Sequence, residues 1–539
     1  MTRTPDGTPV RDSPGSEPGR PHRLRSAAWF LAPFAVFSLL GLLWALGSPV
    51  FSVPDENAHA TKAIAQVRGQ VVGYTLPDVR HIVVDLPPGY EYSPEMLCFT
   101  THSETPASCA PALGDPGGQD WFNTWVGAYN PVYYALVGWP SLLFDGNASV
   151  YAMRVASVLL GAALLAWAFQ AAVLGRRALW LPLGVAFVAA PMNLYLVGAV
   201  NPNGTELAAA VALWVGVLRL LDTFRRPSEG PRRCRTWLWA GVTVAAVVLV
   251  NARALGPLWL VIIVGACFLA SGWGPVKALF TTGASYVWLA IIAAGGLFSV
   301  GWTLTGGSLS GQADAADAPL VGGTFLQGFL HTIRGTNDYM HQAIGFFGWM
   351  DAPLPVWAYW FFIAAFAVLV VLAATATRRR SVLVLAAVVL AAIVVPAVVQ
   401  GASVNQTGII WQGRYALFLY LGIAIIAGWL LSRDAARIDF LAPRITWVGA
   451  ALIAAYGVIA YALVMVRYVI GGEASLGEMV SAPQWQPPLG WPALTVGYLL
   501  ASLALVALVG VAGTVVARRD PLTDAPVAAP AAEGTPARG

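Results

Sequence analysis

Apolar segments long enough to cross a membrane recur along this chain of 539 residues. A crossing helix needs about 20 residues, because the hydrocarbon core of a bilayer is roughly 30 Å thick. The sequence therefore predicts about twelve membrane-spanning helices. They lie at 27–49, 149–174, 178–200, 205–222, 236–252, 255–271, 281–305, 355–377, 381–400, 414–432, 445–466 and 492–516.

Composition agrees with lipid as the main solvent of the chain. Hydrophobic residues make up 57% of the sequence and charged residues 11%, and the mean hydropathy is +0.66. A water-soluble globule does not bury that much apolar surface. We predict an all-α polytopic membrane protein that contacts membrane lipids.

Basic residues predict the orientation, because Lys and Arg are retained on the cytoplasmic side of a membrane. If the N-terminus is cytoplasmic, the predicted spans place most basic clusters on the cytoplasmic side. These clusters lie at 20–25, 176–177, 225–235, 378–380, 433–444 and 518–519. We expect a bacterial cytoplasmic (inner) membrane protein with both termini cytoplasmic and an extracytoplasmic active face. The net charge of +4 reflects this bias, and no basic stripe with interleaved aromatic residues predicts a nucleic-acid partner.

One membrane domain, at 27–516, is predicted between two disordered cytoplasmic tails at 1–26 and 517–539. Two sizeable extracytoplasmic loops are expected at about 50–148 and 306–354, each carrying an interfacial helix. Residues 130–144 are too short to span and too apolar for open water, which favours such a helix. Cys98 and Cys109 fall in the first loop and form either a disulfide or two unpaired thiols.

The first candidate site follows the first span, in the segment SVPDENAH at 52–59. Helical spacing lets Asp55, Glu56 and His59 converge on one side of a helix. In one interpretation Ser52 and Asp55 form a capping box. In the other, one carboxylate is a general base for a hydroxyl acceptor, and the other groups orient it or hold a divalent cation, Mg or Mn.

The second candidate site is WQGRY at 411–415, where Arg414 enters a span from the outside between Gln412 and Tyr415. A charged residue near the membrane normally has an anionic partner. Arg414 is therefore an interfacial anchor, the partner of a loop carboxylate, or a planar fork for a lipid-linked phosphate.

Two further segments lie at outer turns. Arg253 is either a second phosphate contact or a cap for its own turn. Asn201 and Asn203, in NPNG at 201–204 and followed by Glu206, are either substrate contacts or a tight turn that opens a span with an acidic residue.

Four landmarks in this order, PDExxH, NPNG, FGWMD at 347–351 and QGRY, resemble a bacterial family of predicted multi-pass membrane proteins grouped with the GT-C glycosyltransferases. The resemblance covers 27–516 and implies a GT-C-like fold and a polyprenyl-phosphate sugar donor. It makes Asp55 the best match to the acidic base or metal contact, with Glu56 next, and Arg414 the match to the residue that holds the donor phosphate. The first loop has no Asp-x-Asp pair, and we expect no large soluble C-terminal domain, unlike many such enzymes.

The expected function is an inverting membrane glycosyltransferase that moves a sugar from a polyprenyl-phosphate donor to a cell-envelope glycan, lipid or protein. The expected substrate contacts are Arg414, Gln412, Tyr415, Arg253, Asn201 and Asn203. Two alternatives remain: a transporter or flippase of lipid-linked saccharides, and a non-catalytic partner in envelope assembly. Few charges lie within the spans, chiefly Arg154 and Arg219, which disfavours a transport pathway.

Overall fold

The structure, a computed structural model, describes residues 20–174, 179–225, 232–308 and 318–518. Almost all of both predicted tails lies outside these residues. The helices are α1 Arg20–Gly47, α2 Glu56–Gln66, α3 Pro131–Gly138, α4 Gly146–Leu174, α5 Leu181–Ala186, α6 Pro191–Val197, α7 Pro202–Arg225, α8 Arg232–Ala252, α9 Gly256–Ser271, α10 Trp273–Thr281, α11 Gly283–Thr305, α12 Phe325–Arg334, α13 Thr336–Gly345, α14 Val356–Ala376, α15 Arg379–Thr407, α16 Leu417–Asp434, α17 Ala442–Ile470, α18 Leu476–Ser481 and α19 Trp491–Arg518. The strands are β1 Ile82–Asp85, β2 Trp121–Thr124, β3 Phe346–Phe347 and β4 Ala352–Pro353.

Membrane-spanning helices dominate the fold, and the predicted all-α polytopic class is confirmed. Among the described residues, 10 helices are long and apolar enough to cross a membrane. An eleventh crossing is possible at α9 and α10, which together pass the same test but bend by 116° at their junction. These account for all but one of the predicted spans.

The predicted span at 178–200 is not a continuous helix. It contains the short helices α5 and α6, with a 3-10 turn at Phe187–Ala189 between them. Ala190 has an extended backbone (ψ 139) because it precedes Pro191, and a residue before proline is disfavoured in the α region. Every residue at 181–200 is buried, so neighbouring helices rather than lipid cover this apolar segment.

The loop at 48–145, between α1 and α4, folds into a compact cap with its own apolar core. Strands β1 and β2 pair antiparallel, with Val84 opposite Phe122. Both side chains are buried together with Tyr90 and Tyr134. Helix α2 packs against this core, so the candidate residues of 52–59 stand on a rigid support.

Helix α3 and the 3-10 turn after it have two different faces. Tyr133 and Tyr134 point into the cap and are at most 2% exposed. Leu136, Trp139 and Leu142 point outward and are each at least 45% exposed. Large apolar side chains on an outer face are typical of a helix that lies in a membrane interface, as predicted for 130–144.

Arg467, at the end of α17, ties the cap to the second large loop. Its guanidinium donates to the carbonyl oxygens of Phe99, His102 and Thr105 at 2.6–2.9 Å. It also pairs with Asp351, at 2.5 Å, in a contact that is almost fully buried. The cap segment that it holds is closed by a disulfide between Cys98 and Cys109, whose Cα atoms are 6.2 Å apart.

Loss of this disulfide should destabilise the cap. Replacing both Cys98 and Cys109 by Ser should lower the free energy of unfolding by about 3 kcal/mol, because the unfolded chain regains the freedom of a short closed loop. Thermal unfolding in detergent measures this. Cys234→Ser, at an exposed free cysteine, is the control and should leave the melting temperature unchanged. Equal melting of all three proteins would contradict a stabilising role for the disulfide.

Candidate active site at the cap

Asp55 lies at the junction between α1 and α2, in a left-handed backbone conformation (φ 66, ψ 1). Asp adopts this conformation more readily than most residues. Asp55 is itself the N-cap of α2, although its side chain makes no capping hydrogen bond, so the capping box considered for Ser52 and Asp55 does not form. The carboxylate is available to a partner from another part of the chain.

Arg414 is that partner. Its Nη2 atom lies 2.5 Å from Asp55 Oδ2, and its Nη1 donates to the carbonyl oxygen of Pro54 at 3.3 Å. The Arg414 side chain is 6% exposed and the Asp55 side chain 26%. The folded chain thus joins the two landmarks whose order in the sequence suggested a site, and leaves the carboxylate partly open.

Tight packing directs Arg414 toward the cap. Residues Gly413–Ala416 form a 3-10 turn before α16. A Cβ atom at Gly413 would lie 1.9 Å from the carbonyl oxygen of Tyr339, so only glycine fits there. The Gly413 amide donates to Gln342 Oε1 at 2.8 Å. This close contact with α13 fixes the turn that carries Arg414.

A second guanidinium, Arg253, lies between α8 and α9. Its Nη1 donates to Asn203 Oδ1 at 2.5 Å and is 3.9 Å from Glu206 Oε2. Arg253 Cζ lies 4.6 Å from the centre of the Tyr415 ring, and Arg414 Cζ lies 5.2 Å from the same centre. Both guanidiniums therefore make cation–π contacts with one aromatic ring.

The start of α7 supports both sides of this cluster. Asn201 Nδ2 donates to the Pro54 carbonyl at 3.0 Å, and Asn201 Oδ1 accepts from the Asn203 amide at 3.0 Å. Asn203 then holds Arg253. The NPNG segment is thus a helix-opening turn, and its two asparagines also fix residues beside Asp55.

The charges at this end of the bundle follow from burial and neighbours. Burial raises the pKa of Asp55, but Arg414, through its charge and its hydrogen bond, is the main group that holds the pKa below its usual value. Burial lowers the pKa of His59 to about 3. At neutral pH Asp55 is therefore a carboxylate and His59 a neutral imidazole, whose Nδ1 lies 2.8 Å from the Tyr134 hydroxyl.

Glu56 is adjacent to Asp55 but belongs to a different cluster. Its carboxylate receives two hydrogen bonds from Arg154, at 2.7 and 2.5 Å, and two from backbone amides, Val200 at 2.9 Å and Phe51 at 3.2 Å. Both side chains of the ion pair are 0% exposed. Glu56 therefore does not converge with Asp55 and His59, contrary to the sequence prediction, but points to Arg154.

The three residues suggested for a divalent cation do not fit one. In the part of the chain that the structure describes, no group of three or more His, Cys, Asp or Glu side chains could hold a metal ion. Arg154 already neutralises Glu56, which leaves one carboxylate and one imidazole. Mg²⁺ and Mn²⁺ favour several oxygen ligands.

A small open cavity adjoins Arg414, on whose guanidinium the Asp55 carboxylate lies. Arg414 is the charged residue of its wall, and Gln412 and Pro54 also line it. The FGWMD landmark supplies Gly348 and Met350. Three of the four landmarks therefore contribute to the wall of one cavity, and Asn201 of the fourth contacts Pro54 in that wall.

A family model described as Predicted membrane protein (DUF2142) matches residues 37–423, well over half of the chain. The chain belongs to the DUF2142 family. The predicted membership of a family of multi-pass membrane proteins is therefore confirmed. The DUF2142 match includes Asp55, Asn201, Arg253 and Arg414, and it ends before Arg467.

Comparisons with curated proteins and with solved structures do not identify a function. No curated protein matches the chain. Among solved structures, a crystal structure of ArnT from Cupriavidus metallidurans in the apo state is similar to 92% of this chain and 77% of that chain. The sequence identity is 15% and the TM-score is 0.42.

Sequence analysis missed Lys62, one turn after His59 on α2. It is fully buried, donates to the carbonyl oxygen of Val71, and its Nζ lies 5.4 Å from the centre of the Tyr134 ring. Burial lowers the pKa of Lys62 to about 7. The one feature of the sequence that could have identified Lys62 is a charged residue in the Ala-rich segment that forms α2. Asp351 and Arg467 were also missed as a pair, because nothing local links them.

Replacing the carboxylate by the matching amide should affect stability differently at Glu56 and at Asp55. Glu56→Gln leaves the buried Arg154 guanidinium without a counter-charge and should cost about 3–5 kcal/mol of unfolding free energy. Asp55→Asn removes a partly exposed carboxylate and should cost less than about 1 kcal/mol. Thermal unfolding of the purified variants in detergent measures both. Equal losses would contradict the assignment of Glu56 to the structure and Asp55 to the site.

Lys62 should make stability depend on pH. Its folded-state pKa of about 7 is below its ordinary value of 10.5, so between these values the unfolded chain binds the proton more strongly. Stability should therefore rise with pH across this window, by up to about 1.4 kcal/mol per pH unit, with the full penalty present below pH 7. Unfolding at pH 7 to 10 measures the slope.

Lys62→Met should flatten this pH dependence. Lys277→Met is the matched control, because Lys277 is the chain's other lysine and is exposed. A slope that survives Lys62→Met would show that another group causes it.

Proposed function

We propose that the protein is an inverting membrane glycosyltransferase that moves a sugar from a polyprenyl-phosphate donor to a cell-envelope acceptor. The observation that carries the proposal is the contact of Asp55 with Arg414, beside Arg253 and an open cavity. A carboxylate and two guanidiniums are the groups that such a transfer needs. The four landmarks resemble a membrane-protein family that is grouped with the GT-C glycosyltransferases, which supports the same proposal.

The chemistry assigns one role to each charge. Asp55 takes the proton of an acceptor hydroxyl as its oxygen attacks the anomeric carbon. The bond from that carbon to the phosphate oxygen breaks, and the electron pair leaves on polyprenyl phosphate. Arg414 and Arg253 stabilise the charge that develops on this phosphate. The attack comes from the face opposite the leaving group and inverts the anomeric centre.

The remaining residues position these groups. Asn201 and Asn203 hold Pro54 and Arg253, the Tyr415 ring contacts both guanidiniums, and Gln412 lines the cavity. Glu56 is assigned to structure, not to catalysis. No metal step is part of the proposal, because the suggested ligands do not form a metal site.

The proposed location is the bacterial cytoplasmic membrane, with the cap outside and both termini cytoplasmic. The basic clusters of the sequence support this orientation. Arg225 and Arg433 meet at the far end of the bundle, where they donate to the carbonyls of Ser271 and Ala270. A lipid-linked donor suits this orientation, because its phosphate lies at the outer interface.

Release of polyprenyl phosphate tests the proposal. Purified wild type would be incubated with a panel of labelled polyprenyl-phosphate sugars and an envelope extract as the source of acceptors. Asp55→Asn should lower turnover by about 10² to 10⁴-fold, the usual contribution of a general base. Arg414→Gln should lower kcat/KM for the donor, because it removes a phosphate contact.

Asp78→Asn is the matched control. Asp78 is an exposed cap residue with the same left-handed backbone as Asp55 (φ 65), so the substitution repeats the chemical change away from the site. Wild-type turnover is expected. Failure of wild type to consume any donor, or full activity of Asp55→Asn, would remove the transferase proposal. Movement of a lipid-linked saccharide across proteoliposomes would then favour a flippase.

A further inference from the structure

The two guanidiniums of the site differ in how firmly their carboxylate partners are held. Glu206, beside Arg253, has a side chain that is 4% exposed and lies within α7. Asp55, beside Arg414, is 26% exposed and lies at a chain junction outside the helix. Rotation of the Asp55 side chain toward solvent opens Arg414, whereas Glu206 has no solvent to enter.

Arg414 has unused capacity to bind an anion. Among the described residues its Nε atom, although buried, has no hydrogen-bond partner. Its Nη1 makes only a long bond of 3.3 Å to the Pro54 carbonyl. A guanidinium presents its N–H groups in a planar fork that suits two oxygens of one phosphate. Asp55 satisfies this fork only in part, through a single short contact with Nη2, which otherwise reaches only the Tyr415 hydroxyl at 3.4 Å.

We propose that the Asp55 carboxylate occupies the phosphate position on Arg414, and that a lipid phosphate displaces it on binding. This inference rests on the proposed function for the identity of the anion. Displacement does two things at once: it seats the phosphate on Arg414, and it frees Asp55 beside the phosphate. The base is therefore masked until the donor is bound.

The exchange also strengthens the base. While Asp55 contacts Arg414, the positive charge holds the pKa of the carboxyl below its usual value. Loss of that contact, and the arrival of a negative phosphate, both favour the protonated acid. Asp55 then accepts a proton from a hydroxyl more readily than in the empty site. Donor binding therefore has to precede proton removal from the acceptor.

A binding measurement without any sugar tests the exchange. The probe is polyprenyl phosphate in detergent, with the uncharged polyprenol of the same chain length as its control. Removal of the competing carboxylate in Asp55→Asn should tighten polyprenyl phosphate binding about two- to fivefold, the value of one partly exposed ion pair. Arg414→Gln should weaken binding about tenfold or more. Polyprenol should bind all variants equally.

Asp55→Gly is a second variant, because glycine adopts a positive φ without strain, and it should show the same tightening. Asp78→Asn should bind like wild type. Unchanged or weaker binding by folded Asp55→Asn and Asp55→Gly would overturn the exchange.

The binding measurement and the transfer assay test the exchange and the transferase separately. Tighter binding by the Asp55 variants, with no sugar transfer by wild type, would keep the exchange and remove the transferase. Transfer by wild type with unchanged binding would keep the transferase and remove the exchange.

Discussion

One buried guanidinium determines where the candidate site is built. Arg154 in α4 donates to the carbonyls of Ala45, Ser48 and Pro49 and to both oxygens of Glu56. All of these contacts are 2.5–2.7 Å long. An unpaired charge in this dry interior would cost several kcal/mol, on the order of the cost of breaking a buried pair. The chain after α1 therefore has to turn where Arg154 can reach it, and that turn presents Asp55.

The pairing of Glu56 with Arg154 divides two adjacent acids between structure and chemistry. Glu56 begins α2 and points into the bundle, where it also accepts from the Val200 amide beside α7. Asp55 precedes the helix in a left-handed conformation and points the other way, to Arg414. A backbone amide, a guanidinium and the helix start all fix Glu56, so the strained residue beside it is held in place by its neighbour. The rigid neighbour is what allows Asp55 to be partly exposed and still well placed.

Local patterns predicted part of this arrangement. Hydropathy predicted every long helix, because a helix that crosses a lipid bilayer requires a run of about 20 apolar residues. It failed at 178–200, where the same apolar signal comes from a broken segment covered by protein, and hydropathy does not distinguish the two solvents. Motif reading selected Asp55, Arg253 and Arg414 and expected the first and last to face one substrate. It did not predict that Glu56 pairs with Arg154, because that partner lies in α4, far along the chain, and only the packing of α1, α2 and α4 brings it near.

Charge balance explains how this site stays folded while empty. Burial keeps His59 neutral, so the cations near Asp55 are Arg414 and Arg253, whose nearest carboxylates are Asp55 and Glu206. An incoming phosphate that replaces Asp55 on Arg414 leaves the number of buried ion pairs unchanged. The additional free-energy cost of desolvating charged groups is therefore small. A site with an unbalanced Arg414 would bind phosphate more tightly but would carry an uncompensated charge whenever it was empty. A mobile carboxylate avoids the uncompensated charge at the expense of some affinity for phosphate, and the group that leaves the guanidinium is the one that the reaction then needs as a base.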